Sequence, residues 1–146
     1  MIALGSDHAG FQLKQEIKKY LDEKHIEYKD YGTYDENSCD YPDYASKTCE
    51  AVLSGECKLG ILCCGTGIGM SIAANKIKGI RAACCSDYFS AKYTRAHNDA
   101  NILCLGGRVV GAGLACELVD VFINTPFSNE EKHVRRISKI ASLESK

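Results

Sequence analysis

The fold of this chain is decided by the stretch from Lys58 to Lys76, KLGILCCGTGIGMSIAANK. Residues 60–63 are a short apolar run, typical of a strand buried on both faces, and Ile68 and Ile72 lie four residues apart, as on one face of a helix. The loop between them, residues 64–69, has glycine at alternate positions. The stretch therefore predicts a strand, a tight glycine loop and a helix.

The glycine loop predicts an anion-binding site beside a reactive thiol. Without Cβ atoms at Gly65, Gly67 and Gly69, backbone N–H groups can converge on one concave spot at the helix start, where negative charge is favoured. Cys64 directly precedes the loop, where the helix dipole favours thiolate over thiol. A single cysteine is more often a buried structural residue, but this position favours a function for Cys64. Cys63 is expected to point into the opposite layer, as part of the core.

Length and composition predict one domain, residues 1–146, that can bury a full core without disulfides. Nine cysteines, an odd number, and an N-terminus that enters a strand without a secretory leader predict a reducing, cytoplasmic environment. No C-x-x-C pair occurs, so no metal site is expected. The net charge is −1, and no apolar run reaches the roughly 20 residues of a membrane span, so neither nucleic acid nor a membrane is favoured as a partner.

Hydrophobic periodicity predicts four further strands, each leading to a helix. The strands are residues 2–5, 27–31, 80–85 and 101–105, and the helices lie after Gly10, from 42 to about 53, from 87 to 97, from 112 to 124 and after 131. This alternation predicts a three-layer α/β/α sandwich with a Rossmann-like, five-stranded parallel sheet. Residues 32–41 form a polar loop long enough to act as a rim or lid.

Two of these helices carry predictions about packing. Residues 112–124 are apolar on more than one face, typical of a helix buried on two sides, which favours a subunit interface. The last helix follows a capping box from Ser128 to Glu131 and is expected to turn Val134, Ile137 and Ala141 inward.

Candidate ligand-binding residues directly follow the strands. Asp7 and His8 follow the first strand, the glycine loop follows the third, and Arg108 follows the fifth. Ligands of parallel sheets bind beyond the carboxyl ends of the strands, so these residues are expected to share one edge. The ordinary structural explanations are a helix N-cap for Asp7 and a polar loop residue for His8.

Further candidates lie on helices. His97 and Asn98 end a helix, where a cation is favourable. Lys132 and Arg136 belong to a basic segment that is ordinarily a solvated helix face. They are four residues apart, however, and so share one side of the helix, as a phosphate clamp requires.

Nucleotide-binding motifs fit this sequence poorly. Met70 stands where the dinucleotide fingerprint needs its third glycine, and Phe11 and Gln12 stand where a phosphate loop needs lysine and serine or threonine. Asp87, about twenty residues after the loop, follows the wrong strand for a ribose-binding acid.

Six motifs, taken in order and spacing, closely resemble the type B ribose-5-phosphate isomerases over essentially the whole chain: G-S-D-H-A-G (5–10), D-Y-P (40–42), C-G-T-G-I-G-x-S-I-A-A-N-K (64–76), G-I-R-A (79–82), R-A-H-N-D-A-N (95–101) and G-G-R-V-V-G (106–111). That family also contains allose-6-phosphate isomerases and galactose-6-phosphate isomerase subunits. The resemblance implies interconversion of ribose 5-phosphate and ribulose 5-phosphate in the pentose phosphate pathway, without a metal or cofactor.

The resemblance also implies residue roles. Cys64 falls on the base that moves a proton between C2 and C1 of the open-chain sugar through an enediolate, Thr66 on the group that handles hydroxyl protons, and His97 on the ring-opening histidine. The other substrate contacts implied are Asp7, His8, Asn98, Arg108, and a phosphate-binding pair, Lys132 and Arg136. From the residues themselves, the N–H groups of the loop can stabilise the enediolate charge; they belong to Gly65, Gly67, Ile68 and Gly69.

Two positions distinguish branches of the family. Another branch uses a glutamate base at the position of Met70, which cannot accept a proton, so this chain resembles the cysteine branch. At Lys132 the family has an arginine; lysine keeps the charge but lacks the bidentate fork, and His133 is a further candidate for that role.

A site shared between subunits is expected from helix direction. At about 1.5 Å per residue, a helix from 87 to 97 carries His97 on the order of 15 Å away from the catalytic edge of its own chain. We therefore expect a homodimer, or a tetramer, in which His97 serves the Cys64 of a partner, as the resemblance also implies.

Two alternatives stay open: a hexose-6-phosphate isomerase of the allose or galactose type, and a non-catalytic module that binds a sugar phosphate or a nucleotide. The joint presence of Cys64, Thr66 and His97 favours an enzyme, because mere binding needs no proton-transfer group.

Overall fold

A computed structural model describes the whole chain, Met1–Lys146, as five strands that alternate with helices and a sixth, C-terminal helix. The elements are, in order, β1 (Ile2–Ser6), α1 (Phe11–Glu23), β2 (Tyr28–Asp30), α2 (Tyr41–Leu53), β3 (Leu59–Cys64), α3 (Ile68–Asn75), β4 (Ala82–Cys84), α4 (Tyr88–Ala96), β5 (Ile102–Gly106), α5 (Ala112–Asn124) and α6 (Glu131–Leu143). The predicted α/β fold with a five-stranded parallel sheet is confirmed.

The sheet has the strand order β2-β1-β3-β5-β4, and β3 lies at its centre. Ser6 of β1 pairs with Cys63, and Cys64 pairs with Gly106 of β5. The chain winds from β1 outward to β2 and then returns to β3, so the order reverses between β1 and β3. A crevice opens at such a switch point, beyond the carboxyl ends of the strands.

Helices cover both faces of the sheet, which gives the predicted three layers. Leu13 of α1, Ala91 of α4 and Phe122 of α5 belong to the larger core cluster on one face. Ala45 of α2 and Ala74 of α3 belong to the smaller cluster on the other. None of the helices combines the length and apolarity that crossing a bilayer requires.

The two adjacent cysteines of β3 point to opposite faces. Cys63 lies in the larger cluster and Cys64 in the smaller one, because successive side chains of a strand alternate. Cys63 is therefore core, as predicted.

The structure shortens two predicted strands. β2 covers three residues, Tyr28–Asp30, and β4 covers three, Ala82–Cys84. Both are edge strands that pair with a single neighbour over three residues: Tyr28–Asp30 with Ile2–Leu4, and Ala82–Cys84 with Ile102–Cys104.

Most of the apolar surface of α5 is used inside the chain, so it is not by itself evidence for the subunit interface predicted there. Ala115, Leu118, Val119 and Phe122 are fully buried in the larger core cluster, because α5 packs between α1 and α4 as well as on the sheet. A second apolar face on this helix therefore does not require a second subunit.

The inward face predicted for α6 is wrong. His133 is the buried residue of this helix, whereas Val134 is 48 % exposed and Ala141 is also exposed. Ile137 is half-buried. The helix lies beside the end of α4, where His133 stacks on His97, so its buried contact is made by this histidine and not by a broad apolar stripe.

Candidate active site

Three loops meet at the carboxyl edge of the sheet through backbone hydrogen bonds. The N–H of Asp7 donates to the carbonyl oxygen of Cys63 at 3.2 Å, and the N–H of Gly107 donates to that of Cys64 at 2.8 Å. The N–H of Arg108 donates to the carbonyl oxygen of Gly65 at 3.0 Å. The strand-end residues predicted to share one edge therefore do so.

The loop after β1 lies directly against β3. A Cβ atom on Gly10 would be 2.2 Å from the carbonyl oxygen of Cys63, so only glycine permits this approach. The Asp7 carboxylate is buried and accepts a hydrogen bond from the N–H of Gly10 at 2.9 Å. Asp7 thus holds its own loop in shape, a structural role close to the N-cap expected for it.

Cys64 lies at the end of β3 with its sulfur turned toward the start of α3. Its side chain is 4 % exposed, and its Sγ accepts a hydrogen bond from the N–H of Gly67 at 3.1 Å. Gly67 is the N-cap of α3 and has φ = +82°, a left-handed conformation that favours glycine. A backbone N–H at a helix N-terminus stabilises negative charge on this sulfur.

The other buried thiols have a different environment. Burial raises the pKa of Cys49 to about 12 and that of Cys85 to about 11. Burial also raises the pKa of Cys63 and of Cys104. No other cysteine sulfur receives a backbone N–H, so Cys64 alone combines burial with a donor for its anionic form.

Thr66 is exposed, two residues after Cys64. Its Oγ1 accepts a hydrogen bond from the N–H of Ile68 at 3.2 Å. Two of the N–H groups predicted to face an enediolate, those of Gly67 and Ile68, thus have side-chain partners within the loop. The first turn of α3 continues through Gly69.

Arg108 supplies positive charge next to the loop. A Cβ atom on Gly65 would be 3.5 Å from its Nη1, and the side chain is exposed without an acidic partner. Its guanidinium is therefore free to bind an anion at this edge.

The remaining predicted residues form a second group at the far end of α4. His97 is the C-cap of α4, and its ring stacks on that of His133 with centroids 4.2 Å apart and planes 15° apart. His97, Asn98 and Arg136 line one cavity of about 610 Å³. Lys132 is outside that lining and lies 3.8 Å from Glu130 in an exposed ion pair.

His133 also lines this cavity. The sequence had offered it as a further candidate for binding phosphate. Burial and the neighbouring His97 hold its pKa below the ordinary histidine value. Next to the histidine predicted to open the sugar ring, the cavity therefore contains a second imidazole whose neutral form is favoured.

The two groups do not meet within one chain. The cavity runs along α4 from Cys84 to His97 and is not lined by Cys64. Nine residues of α4 separate its ends, about 14 Å of helix. The structure thus brings Asp7, His8, the glycine loop and Arg108 together, and separately His97, Asn98 and Arg136.

Sequence reasoning missed three residues around the loop. The ring of Tyr41 packs on Gly69, where a Cβ atom would be 2.9 Å from the ring. Cys84 lies on the other side, since a Cβ atom on Gly67 would be 3.0 Å from its Sγ. The N–H of Cys39 donates to Nδ1 of His8 at 3.2 Å. Cys39 and Tyr41 follow β2, whose end lies at the same sheet edge. That position in the sequence could have indicated that they lie near the site.

Comparisons with known proteins find similar sequences over nearly the whole chain. The family model described as Ribose/Galactose Isomerase matches residues 2–140. The ribose-5-phosphate isomerase B of Escherichia coli is 47 % identical over 145 residues, covering 99 % of this chain and 97 % of that protein. The 4-deoxy-4-sulfo-D-erythrose isomerase of a Clostridium species is 42 % identical over 136 residues, covering 92 % of this chain and 86 % of that protein.

A solved structure shows the same fold. The ribose-5-phosphate isomerase B of Clostridium thermocellum superimposes with a TM-score of 0.96 at 50 % identity, covering 99 % of this chain and 97 % of that one.

Proposed function

The chain belongs to the ribose/galactose isomerase family, and from this premise we propose that it interconverts ribose 5-phosphate and ribulose 5-phosphate with Cys64 as the base. The reaction is an aldose–ketose isomerisation, in which a proton leaves C2 of the open-chain aldose and returns to C1. The negative charge that develops on the intermediate enediolate requires hydrogen-bond donors or positive charge nearby.

One observation carries the assignment of the base: the N–H of Gly67 lies 3.1 Å from Sγ of Cys64. This donor favours the thiolate. The thiolate takes the proton from C2, becomes a thiol, and then returns the proton to C1. Thr66, two residues away and exposed, carries a hydroxyl that can move the proton between O2 and O1. The proton lost from C2 is gained at C1, and the hydroxyl proton moves from O2 to O1, so the reaction needs no other reactant.

The remaining residues fit binding and ring opening. His97 donates to and accepts from the ring oxygen and the anomeric hydroxyl, and Asp7, His8, Asn98 and Arg108 contact the substrate. Arg136, which lines the cavity with His97, holds the phosphate, and Lys132, four residues away on α6 but outside that lining, adds positive charge nearby. The backbone of Gly65, Gly67, Ile68 and Gly69 surrounds the reacting carbons.

We propose that each active site is shared between two subunits of a homodimer, which can pair further into a tetramer. The separation of the two residue groups along α4 supports this, because only a second chain can then bring a His97 to Cys64. Exposed apolar side chains near the loop offer the contact surface: Ile68 is 55 % exposed and Ile72 is 59 % exposed on α3, and Phe89 is 70 % exposed on α4.

A steady-state assay tests the function. We expect turnover of ribose 5-phosphate, measured as ribulose 5-phosphate formed, with a higher kcat/KM than for allose 6-phosphate or galactose 6-phosphate. The sulfo-sugar of the Clostridium relative belongs in the same panel, because a sulfonate is an anion like the phosphate. Faster turnover of a hexose or of the sulfo-sugar would reassign the substrate, and binding without turnover of any sugar would favour the non-catalytic module.

We also propose a cytoplasmic location, which suits a protein whose nine cysteines are all free.

A further inference from the structure

The loop between β2 and α2, residues 31–40, is fastened to the loop that carries His8. The N–H of Cys39 donates to Nδ1 of His8 at 3.2 Å, and the Cys39 Sγ lies 3.9 Å from the same nitrogen. Elsewhere in this loop, Glu36 hydrogen-bonds the side chain of Gln12. Residue 39 is therefore held beside one nitrogen of the imidazole.

This contact decides which nitrogen of His8 carries the proton. A backbone N–H can only donate, so Nδ1 must accept with its lone pair. In a neutral imidazole the proton is then on Nε2. Nε2 has no hydrogen-bond partner within the chain, and His8 is only half-buried, so its N–H is free to meet a ligand.

His8 stands at the catalytic edge. On one side of it in the chain, Asp7 donates its N–H to the Cys63 carbonyl at 3.2 Å. On the other side, the Cβ of Ala9 lies 3.7 Å from where a Cβ atom on Gly65 would be. The imidazole is thus anchored between residues that touch the end of β3 and the glycine loop.

We propose that the backbone N–H of Cys39 fixes His8 in the tautomer protonated on Nε2, so that His8 donates a hydrogen bond to an oxygen of the sugar phosphate. Phosphate and hydroxyl oxygens accept such a bond, whereas the opposite tautomer presents a lone pair that repels an anion. The identity of this ligand rests on the proposed function; the tautomer does not. Cys39 is a positioning residue, and its amide rather than its thiol has the role, because a backbone N–H is a strong donor and a thiol a weak one.

Nitrogen-15 NMR of the wild-type protein tests the tautomer directly. At about pH 8, where histidine is neutral, we expect a pyridine-like signal for Nδ1 of His8 and a pyrrole-like signal for Nε2. Comparison with His8→Asn assigns the signals among the four histidines. A pyrrole-like Nδ1 overturns the proposal. The measurement needs no turnover, so its result is independent of whether the isomerase assignment holds.

Three variants separate the amide from the thiol and from the loop. Cys39→Pro removes the N–H, Cys39→Ala keeps it but removes the thiol, and Ser38→Pro places a proline where the N–H has no partner in the chain. We expect Cys39→Pro to lower kcat/KM for ribose 5-phosphate about tenfold and to lose the single tautomer signature. The other two should keep the signature and stay within about twofold of wild type.

An equal loss in Cys39→Ala and Cys39→Pro would mean that the thiol positions His8, and the proposal would be wrong. If Cys39→Pro does not fold, the wild-type tautomer together with Cys39→Ala still decides the matter.

Discussion

At the scale of single residues, the environment of a thiol decides its chemistry more than its burial does. Cys63 and Cys64 are adjacent and both almost fully buried. Burial raises the pKa of Cys63, while the sulfur of Cys64 receives the Gly67 N–H. The two positions therefore provide a matched pair for testing the base.

Cys64→Ala should lower kcat for ribose 5-phosphate by about a hundredfold to ten-thousandfold, the contribution typical of a general base. Binding of the sugar phosphate, measured by calorimetry, should change little because the phosphate contacts remain. The control Cys63→Ala should keep kcat near wild type and show only a loss of stability from its core cavity. Near wild-type kcat in Cys64→Ala would show that another group removes the proton.

The stacked histidines predict a pH dependence of stability. The folded-state pKa of His133 is lowered, first by burial and then by His97, so the unfolded chain binds this proton more readily. The stabilising contribution is therefore present above the unfolded pKa of about 6.5 and is lost as pH falls through and below it. Chemical unfolding at a series of pH values should show this loss in wild type.

The loss of stability at low pH should be smaller in His133→Asn than in wild type. The control is His25→Asn, at an exposed histidine, which should leave that loss unchanged. Identical pH profiles for wild type and His133→Asn would contradict the assignment of this titration to His133.

At the scale of elements, the junction between β3 and α3 constrains the backbone most. Gly67 combines φ = +82° with a Cβ position 2.9 Å from the carbonyl carbon of Leu105. Both the conformation and the space exclude a side chain there.

Gly67→Ala should lower the free energy of unfolding by about 1–3 kcal/mol, and should lower kcat because the N–H donor to Cys64 shifts. The control is Gly113→Ala, which lies within α5 with open space around its Cβ position; it should stabilise the chain by about 0.5–1 kcal/mol. Both are measured by chemical unfolding at one protein concentration. Equal effects of the two substitutions would contradict the special role of the Gly67 conformation.

The sequence predicted those helices and strands whose own hydrophobic pattern shows which face is buried. The buried run of β3, the glycine loop and the order of strands and helices followed from local pattern, and they placed Asp7, Cys64 and Arg108 at one edge. The pattern of α6 could not say what lies beside it, so Val134 was predicted to be inward and is exposed. Cys39 lies in a loop without periodicity and Tyr41 begins the helix after it; their place after β2 put them near this sheet edge, but which residues they contact does not follow from the sequence pattern.

At the scale of the whole molecule, the length of α4 separates the two groups of proposed active-site residues. The helix begins after β4, whose Cys84 lies against the glycine loop, and His97 caps its other end, about 14 Å of helix away. If each site joins the Cys64 of one chain to the His97 of another, two defective proteins can repair each other.

Mixing inactive Cys64→Ala with inactive His97→Asn, after dissociation and reassembly, should restore up to about a quarter of wild-type activity, because random pairing makes half of the dimers mixed and each mixed dimer has one intact site. Activity is followed as ribulose 5-phosphate formed. The control is each variant dissociated and reassembled alone. No recovery despite mixed dimers shown by native mass spectrometry would mean that both residues act within one chain.

The alternation of side chains along β3 also limits how this enzyme can be re-engineered. Cys64 faces one layer and Cys63 the other, so inserting or deleting a single residue in the strand would exchange the two thiols between faces. The length of this strand therefore cannot be changed without moving Cys64 to the wrong face. This holds even though the strand contributes no side chain to the cavity along α4. Enlarging the pocket for a longer sugar calls for substitutions on α4 and α6, with the spacing from Leu59 to Gly67 left intact.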